Sequence, residues 1–384
     1  MTITFNVTKV FAGPGDGFNQ CGMGCYTQSD GSYLFGWGAV STSAPYPITS
    51  LWYRSVDDGN TWTSTGGAEG PVGPSSAFAC NLHANIICAP SYNFTGPAIG
   101  VYRSTNNAAS WTNVLSIASA ATPNGRAPSC YSLAAYNRTK AIAAGQFDGN
   151  KNNPAHQTAV STDSGASWTP QVGPDTSHAD NYGESLGVAP NGHLWLGYAK
   201  RNGPLFDPHT ASSINGGNTW SLNGGLPKPG GGTGGFTTAI TALDENNIVI
   251  CGGGGHSPPA SLAWLWWSSD AGTTFNLVPS SDIAGWPSGA FYTYLWEVKR
   301  LTRDAVILAI DRQRGTPACP WNLSLDMGHT FPIQAVPTVG NFPNYGIPVG
   351  QIVTTRTGAL LLPLWESATY ATASICIWRG TITC

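Results

Sequence analysis

Short apolar stretches alternate with polar, Gly- and Asn-rich turns along the whole chain, and none carries the 3.6-residue period of an amphipathic helix. Seven hairpin-like pairs of these stretches occur: "CYTQSDGSYLFGWG", "SAFACNLHANIICAP", "CYSLAAYNRTKAIAAG", "SLGVAPNGHLWLGYA", "TAITALDENNIVICGG", "LWEVKRLTRDAVILAI" and "GQIVTTRTGALLLPLW". Two of the turns hold Asp30-Gly31 and Asn191-Gly192, dipeptides that suit the positive φ of a tight hairpin. The pattern predicts an all-β chain of short strands.

A second signal runs in phase with the first. Each of the first six hairpins is followed by one box: "YRSVDDGNTW", "YRSTNNAASW", "AVSTDSGASW", "ASSINGGNTW", "WWSSDAGTTF" and "NLSLDMGHTF". Their first serines, Ser55, Ser104, Ser161, Ser213, Ser268 and Ser324, lie 49, 57, 52, 55 and 56 residues apart. A repeat of that length fits one four-stranded propeller blade with its loops. Within a box, the Asp or Asn at the third position can accept backbone N–H groups and hold a turn. The Gly two residues on supplies positive φ, and the closing Trp or Phe buries its ring against the hairpin.

Counting hairpins gives seven units, whereas counting boxes gives six. After the seventh hairpin only "ASICIWRGTITC" remains, which leaves that unit one strand short. The N-terminal "TITFNVTKVF" alternates like a strand and has no hairpin of its own, so it can supply the missing one. The expectation is a single domain over 1–384: a seven-bladed β-propeller closed by the N-terminal strand.

The boxes resemble the Asp-box, or bacterial neuraminidase, repeat: "SVDDGNTW", "STDSGASW", "SSDAGTTF" and "SLDMGHTF" match SxDxGxxW or its Phe form, and "STNNAASW" and "SINGGNTW" are relaxed copies. The resemblance covers nearly the whole chain. It implies that Asp57, Asn106, Asp163, Asn215, Asp270 and Asp326 are structural, joining the third and fourth strands of each blade away from the ligand-binding face. Sialidases are similar proteins, and they imply the alternative of a six-bladed sialidase-like propeller with an Arg-Ile-Pro motif. No Arg-Ile-Pro occurs here; Arg54 and Arg103 sit inside the boxes.

Composition narrows the function classes. Charged residues make up 10% of the chain, against roughly 25% in an average soluble chain, and the net charge of -3 provides no basic stripe for nucleic acid. No apolar run reaches the ~20 residues of a membrane helix, and "MTITFNVTKVF" has no signal-peptide features. Nine cysteines include no CxxC pair, so no metal is expected; Cys80 and Cys88 flank a hairpin turn and could face each other. The Gly runs "PGGGTGGF" and "CGGGGH" lack the Lys-Ser or Lys-Thr of a phosphate loop, and no cofactor is expected. Asn6, Asn93, Asn137 and Asn322 fit the glycosylation acceptor pattern.

Function is therefore sought in the loops that do not repeat. They offer Arg126, Asp148, Arg201, His209, His256, Arg312, Arg314 and Glu366 as ligand-binding candidates, with Trp286 among the nearby aromatics. If the chain is an enzyme, Asp180, Tyr182 and Glu184 of "HADNYGES" supply its acid, base and aromatic. The leading expectation is a non-enzymatic recognition or structural module at a virion or tail surface, or otherwise extracellular, that contacts glycans or neighbouring subunits. The alternative is a glycoside hydrolase or polysaccharide lyase working at the channel mouth; a cellular assembly scaffold is a further rival.

Overall fold

The computed structural model describes residues 4–13, 19–40, 48–65, 80–81, 87–91, 98–118, 129–146, 158–175, 182–203, 205–228, 234–254, 262–284, 286, 295–302, 304–310, 321–337, 345–348, 351–367 and 374–383. Strand β1 (Thr4–Ala12) opens the chain. The first sheet is β2 (Asn19–Thr27), β3 (Tyr33–Val40), β4 (Ile48–Ser55) and β5 (Thr63–Ser64). The second is β6 (Cys80–Asn81), β7 (Ile87–Ser91), β8 (Ala98–Ser104) and β9 (Thr112–Ala118). The third is β10 (Ser129–Ala135), β11 (Ala141–Gln146), β12 (Thr158–Ser161) and β13 (Thr169–Gln171). The fourth is β14 (Tyr182–Val188), β15 (Leu194–Asn202), β16 (Leu205–Ser213) and β17 (Ser221–Gly225). The fifth is β18 (Phe236–Ala242), β19 (Ile248–Gly254), β20 (Leu262–Ser268) and β21 (Asn276–Leu277). Two further groups follow, β22 (Leu295–Arg300) to β25 (Ile333–Pro337) through β23 (Val306–Ile310) and β24 (Trp321–Ser324), then β26 (Tyr345–Pro348), β27 (Val353–Thr354), β28 (Leu360–Ser367) and β29 (Ser374–Thr383).

All seven hairpins read from the sequence are antiparallel strand pairs, from β2–β3 to β27–β28. Strand β1 pairs antiparallel with β29 from Thr4↔Thr383 to Ala12↔Cys376. Seven separate blades do not result, however. The other edge of β1 pairs in parallel with β25 through Phe5↔Ala335, Asn6↔Val336 and Val7↔Pro337, so the last two groups merge into one nine-stranded sheet. The cause is an open strand edge: the outermost strand of one group meets the outermost strand of the next, and its N–H and C=O groups find partners there.

Both faces of the inner strands are buried, which explains their continuous apolar runs. In β15, Leu194, Leu196 and Tyr198 pack with Ile142, Ala144 and Val160 of the third sheet, whereas Trp195 packs with Ile240, Ile248 and Ile250 of the fifth. The opening strands of successive groups lie side by side, β2 with β6, β6 with β10, β10 with β14, β14 with β18 and β18 with β22, while β2 also meets β27. Five of them carry a register shift at the same place, between Gly22/Gly24, Cys130/Ser132, Gly183/Ser185, Thr237/Ala239 and Leu295/Glu297. Such a bulge re-aims the side chain that follows it. Ser132, Ser185, Ala239 and Glu297 all border one cavity of about 410 Å³.

The six boxes share one turn geometry. In the first, Ser55 Oγ donates to Asp57 Oδ1 at 2.8 Å and accepts the Gly59 N–H at 3.0 Å, and Asp57 Oδ1 accepts the Thr61 N–H at 2.9 Å. Asp57 Oδ2 then accepts from Thr61 Oγ1 at 2.7 Å, and Trp62 Nε1 donates to the Gly59 carbonyl at 3.1 Å. Where Asn replaces Asp the bond with the seventh-position hydroxyl reverses: Asn106 Nδ2 donates to Ser110 Oγ, and Asn215 Nδ2 to Thr219 Oγ1, both at 2.8 Å. The fourth and fifth positions both have positive φ in every box, for example 62° at Asp58 and 83° at Gly59. The sequence reading assigned positive φ only to the fifth.

Slight burial tends to raise the Asp57 carboxyl, but its bonds from Thr61 and Ser55 outweigh this and hold it below the usual range. Asp163 and Asp326 behave alike. A carboxyl lowered by folding stabilises above its unfolded pKa, and that contribution disappears as pH falls through the folded value. Asp57→Asn should therefore cost no more than about 1 kcal/mol at neutral pH. It should also lose less stability than the parent on acidification. Chemical unfolding of both proteins at neutral and strongly acidic pH checks this; equal acid losses would refute it.

Candidate functional site

Because Leu194 pairs with Ser213, the serine that opens the fourth box, the β15–β16 turn at Gly203 lies at the end of the sheet remote from the boxes. That remote end carries a row of polar side chains. Tyr198, Lys200 and Asn202 alternate along β15 and share one face, and the register sets His209 opposite Tyr198 and Asp207 opposite Lys200. Tyr198 belongs to the cluster against the third sheet, so this face looks toward that sheet. Asp175, which follows β13, and Lys228, which follows β17, complete the group.

Two ion pairs organise it. Lys200 Nζ lies 2.8 Å from Asp175 Oδ2, and Lys228 Nζ lies 2.7 Å from Asp207 Oδ1. Asn202 Nδ2 donates to Asp207 Oδ2 at 2.7 Å. Both lysines stay about one-third exposed, at 36% and 28%, whereas the Asp175 side chain is only 5% exposed. Burial tends to raise the Asp207 carboxyl, but the bonds from Lys228 and Asn202 hold it below the usual range. It is therefore ionised at neutral pH.

His209 sits between these pairs. Its ring tilts at 38° against that of Tyr198 with centroids 5.5 Å apart, and a Cβ on Gly225 would come within 3.3 Å of its Cε1. Burial, followed by the positive charge of Lys200, lowers its pKa below 6.5, against the opposing pull of Asp207 and Asp175. The imidazole is thus neutral at physiological pH, with a nitrogen able to take a proton. Tyr198 donates weakly to Asp175 Oδ2 at 3.5 Å, and burial beside that carboxylate pushes its phenol well up, so it stays protonated.

Among the described residues, the candidate His209 joins this group. Glu184 lies elsewhere: it is the bulged residue of β14, buried, and its Oε2 accepts from the Thr237 N–H at 2.7 Å and from Thr237 Oγ1 at 3.1 Å. It tethers β14 to β18. Glu366 is likewise committed, taking an ion pair from Lys9 and a hydrogen bond from Trp378 Nε1. Arg201 folds back, its Nε donating to the Gly203 carbonyl at 2.5 Å and its guanidinium lying 5.2 Å from the Phe206 ring centroid. Trp286 packs at the edge of an apolar cluster. Asn322 is fully buried, with Nδ2 donating to the Ala284 carbonyl at 2.9 Å, and is no glycosylation acceptor.

Tyr182 pairs with Ala199, and Cys80 with Cys88, in backbone register only; their side chains lie outside the described residues. Asp180, Arg126, Asp148, His256, Arg312 and Arg314 lie outside them altogether. Sequence reasoning missed Asp175, Tyr198 and Lys228. The period-two alternation of "YAKRN" was the available signal for Tyr198; nothing local marks the other two.

Glu184→Ala should destabilise the fold by about 2–4 kcal/mol, because the buried Thr237 N–H would lose its acceptor. Thermal unfolding checks this; an unchanged melting temperature would show that the tether contributes nothing.

Solved structures give the wider context. A polysaccharide lyase of family PL25, an ulvan lyase bound to -[GlcA(1-4)Rha3S]-, superposes with a TM-score of 0.60 at 10% identity, over 94% of this chain and 95% of that one. YCF48 from Cyanidioschyzon merolae gives 0.53 at 13% identity, over 97% and 98%. The alpha-L-arabinanase of Penicillium chrysogenum complexed with arabinobiose gives 0.52 at 15%, over 97% of each chain. The fold is propeller-like. At these identities the likeness extends to the fold alone. No family model matches the chain, and no curated protein matches it significantly. Among the described residues no helix is long and apolar enough to cross a membrane.

Proposed function

We propose that the chain is a glycan-degrading enzyme, a polysaccharide lyase acting on a uronate-containing chain, with His209 as its proton-transfer group. The carrying observation is the neutral imidazole of His209 beside the Lys200–Asp175 and Lys228–Asp207 ion pairs at the box-remote end of the fourth sheet. A hydrolase needs a carboxylic acid that is protonated at neutral pH and faces a second carboxylate. Here Asp175 and Asp207 are both paired to lysines. Elimination makes a different demand, and this cluster fits it.

In such an elimination His209 takes the proton α to the uronate carboxylate, and Lys200 and Lys228 offset the charge that builds on that carboxylate. Each ammonium has three N–H donors and spends one on its aspartate, which leaves others for substrate oxygens. The C5–H and C4–O bonds break, the C4=C5 double bond forms, and the leaving oxygen receives the proton from His209. The fold likeness to an ulvan lyase and an arabinanase supports a glycan-active reading over a virion structural one.

The same reading takes the seven strand groups as a seven-bladed ring of the Asp-box type. Its support is the recurrence of one packing contact. A Cβ on the box glycine would meet the preceding group at Gly217 (Ile142), Gly328 (Val249) and also Gly59 (Leu361), where the first group meets the last.

The test is a screen of uronate-containing polysaccharides that separates an unsaturated product from a new reducing end alone. Unsaturated product, abolished in His209→Ala, is the expected result. Saturated product would move the reading to hydrolysis, and binding without turnover would leave a recognition module.

A further inference from the structure

The cavity of about 410 Å³ bordered by the opening strands is separate from the His209 cluster. Its walls come from β2, β10, β14, β18, β22 and the segment around β27, and none of Asp175, Tyr198, Lys200, Asp207, His209 or Lys228 lines it. It lies toward the box-bearing ends of those strands, since Tyr26, Ala135, Val188, Ala242 and Lys299 all precede the hairpins on that side. The volume falls within the range of small-molecule pockets.

Its polar equipment is unusual for a strand-lined core. Glu297 and Lys299, two residues apart on β22, share one face and both reach the cavity. The backbone fixes Glu297: both carboxyl oxygens accept the Ile352 N–H, at 3.2 and 3.0 Å. Burial lowers the pKa of Lys299, with Glu297 opposing as its electrostatic neighbour, and the ammonium has no hydrogen-bond acceptor among the described residues. Leu133, Leu186, Val298 and Val353 surround the two, interspersed with Ser132 and Thr241. An ammonium among apolar walls with three unspent donors is costly unless something in the cavity accepts from it.

We propose that this axial cavity is a second ligand site, taking a small carboxylate of monosaccharide size or less, with the carboxylate on Lys299 Nζ and the remaining polar groups on the serine and threonine hydroxyls. The state of Glu297 tunes the site. Burial, offset only in part by Lys299 and the Ile352 N–H, pushes its pKa up to about 8. The other titratable groups that sense Glu297 are the thiols of Cys25 and Cys251, and burial pushes both up, so they stay neutral through that range. Below about pH 8 a protonated Glu297 leaves the ammonium uncompensated and the site attracts an anion. Above it the carboxylate neutralises Lys299 and repels the ligand.

Titration calorimetry of the full chain with sodium glucuronate and sodium acetate, against sodium chloride, tests this. Saturable binding of at least one carboxylate is expected, weakened about ten- to hundredfold in Lys299→Met. Affinity should fall as pH rises through about 8 in the parent, and in Glu297→Gln, which keeps an acceptor for the Ile352 N–H, only the loss of the Lys299 proton should remain to weaken binding at alkaline pH. Should Lys299→Met fail to fold, Glu297→Gln and the parent pH series decide the matter. His209→Ala should bind normally, which separates this site from the His209 cluster. No saturable heat with either carboxylate, binding that ignores Lys299→Met, or a pH-independent affinity in the parent would overturn the proposal.

Discussion

His209→Ala lowers kcat/KM on a uronate-containing polysaccharide by about 10²–10⁴, the usual contribution of a positioned proton-transfer group. The loss should appear mainly in kcat, because Lys200 and Lys228 still hold the carboxylate. The pH profile provides a second readout. A base works when unprotonated, and burial with the Lys200 charge holds the His209 pKa below 6.5, so activity should stay level through neutrality and fall only on acidification below that value. Lys200→Met removes the stronger of the charges that depress the imidazole, and the acid limb should then move upward. Thermal unfolding of each variant identifies a mere folding defect. Full activity in a well-folded His209→Ala protein would dismiss this residue from the chemistry.

The second large effect is on stability. Gly59→Ala should cost about 2–5 kcal/mol, from a non-glycine residue at positive φ together with overpacking of the core. The new Cβ would lie 2.4 Å from Leu361 Cδ2 at a backbone φ of +83°. Gly192→Ala is a matched control: its φ is +85°, but nothing lies within 4 Å of the added carbon. It should lose only the conformational share, about 1–2 kcal/mol. The chain itself contains the intermediate case, since Ala108 holds the same box position at φ 63° and packs with Tyr26, Leu34 and Trp52. Positive φ is therefore tolerable, and the neighbouring sheet decides how much volume fits. Equal losses for Gly59→Ala and Gly192→Ala would show that contact between the first and last groups contributes nothing.

Asp58 illustrates why repeats conceal as much as they reveal. Its box position varies freely, through Asn107, Ser164, Gly216, Ala271 and Met327, which marks it as a neutral neighbour of Asp57. In the fold its Oδ2 accepts from Arg379 Nη2 at 3.2 Å and from Thr357 Oγ1, and its Oδ1 accepts from the Tyr33 hydroxyl at 3.3 Å. It ties the first box to the last hairpin and to β29. No other copy has that neighbour, so no comparison among copies could find it.

Local signals settled what depends on neighbours in sequence. Hairpin turns and box hydrogen bonds are contacts within about ten residues, and the spacing of Ser, Asp or Asn, and Gly specifies them directly. The pairing of β1 with β29 was legible for a related reason: a count of strands left one site and one strand over. The fusion through β1 and β25 was not, because an open edge pairs with whatever backbone lies beside it, whatever the side chains.

Chemistry followed the same division. Sequence alone placed Glu184 among the candidate acids, since a Glu beside a Tyr reads the same whether it points into a cleft or into a neighbouring strand. Only the tertiary structure turned it onto the Thr237 N–H. Only the tertiary structure brought Asp175 and Lys228, fifty-three positions apart, to the two sides of His209, and sank Glu297 and Lys299 into a shared cavity. The sequence determined the repeat, the strands and the turns, because these are set by short-range sterics and hydrogen bonds. Which polar groups meet, and with what protonation, depends on burial and on charges carried by distant strands, and only the packed sheets decide that.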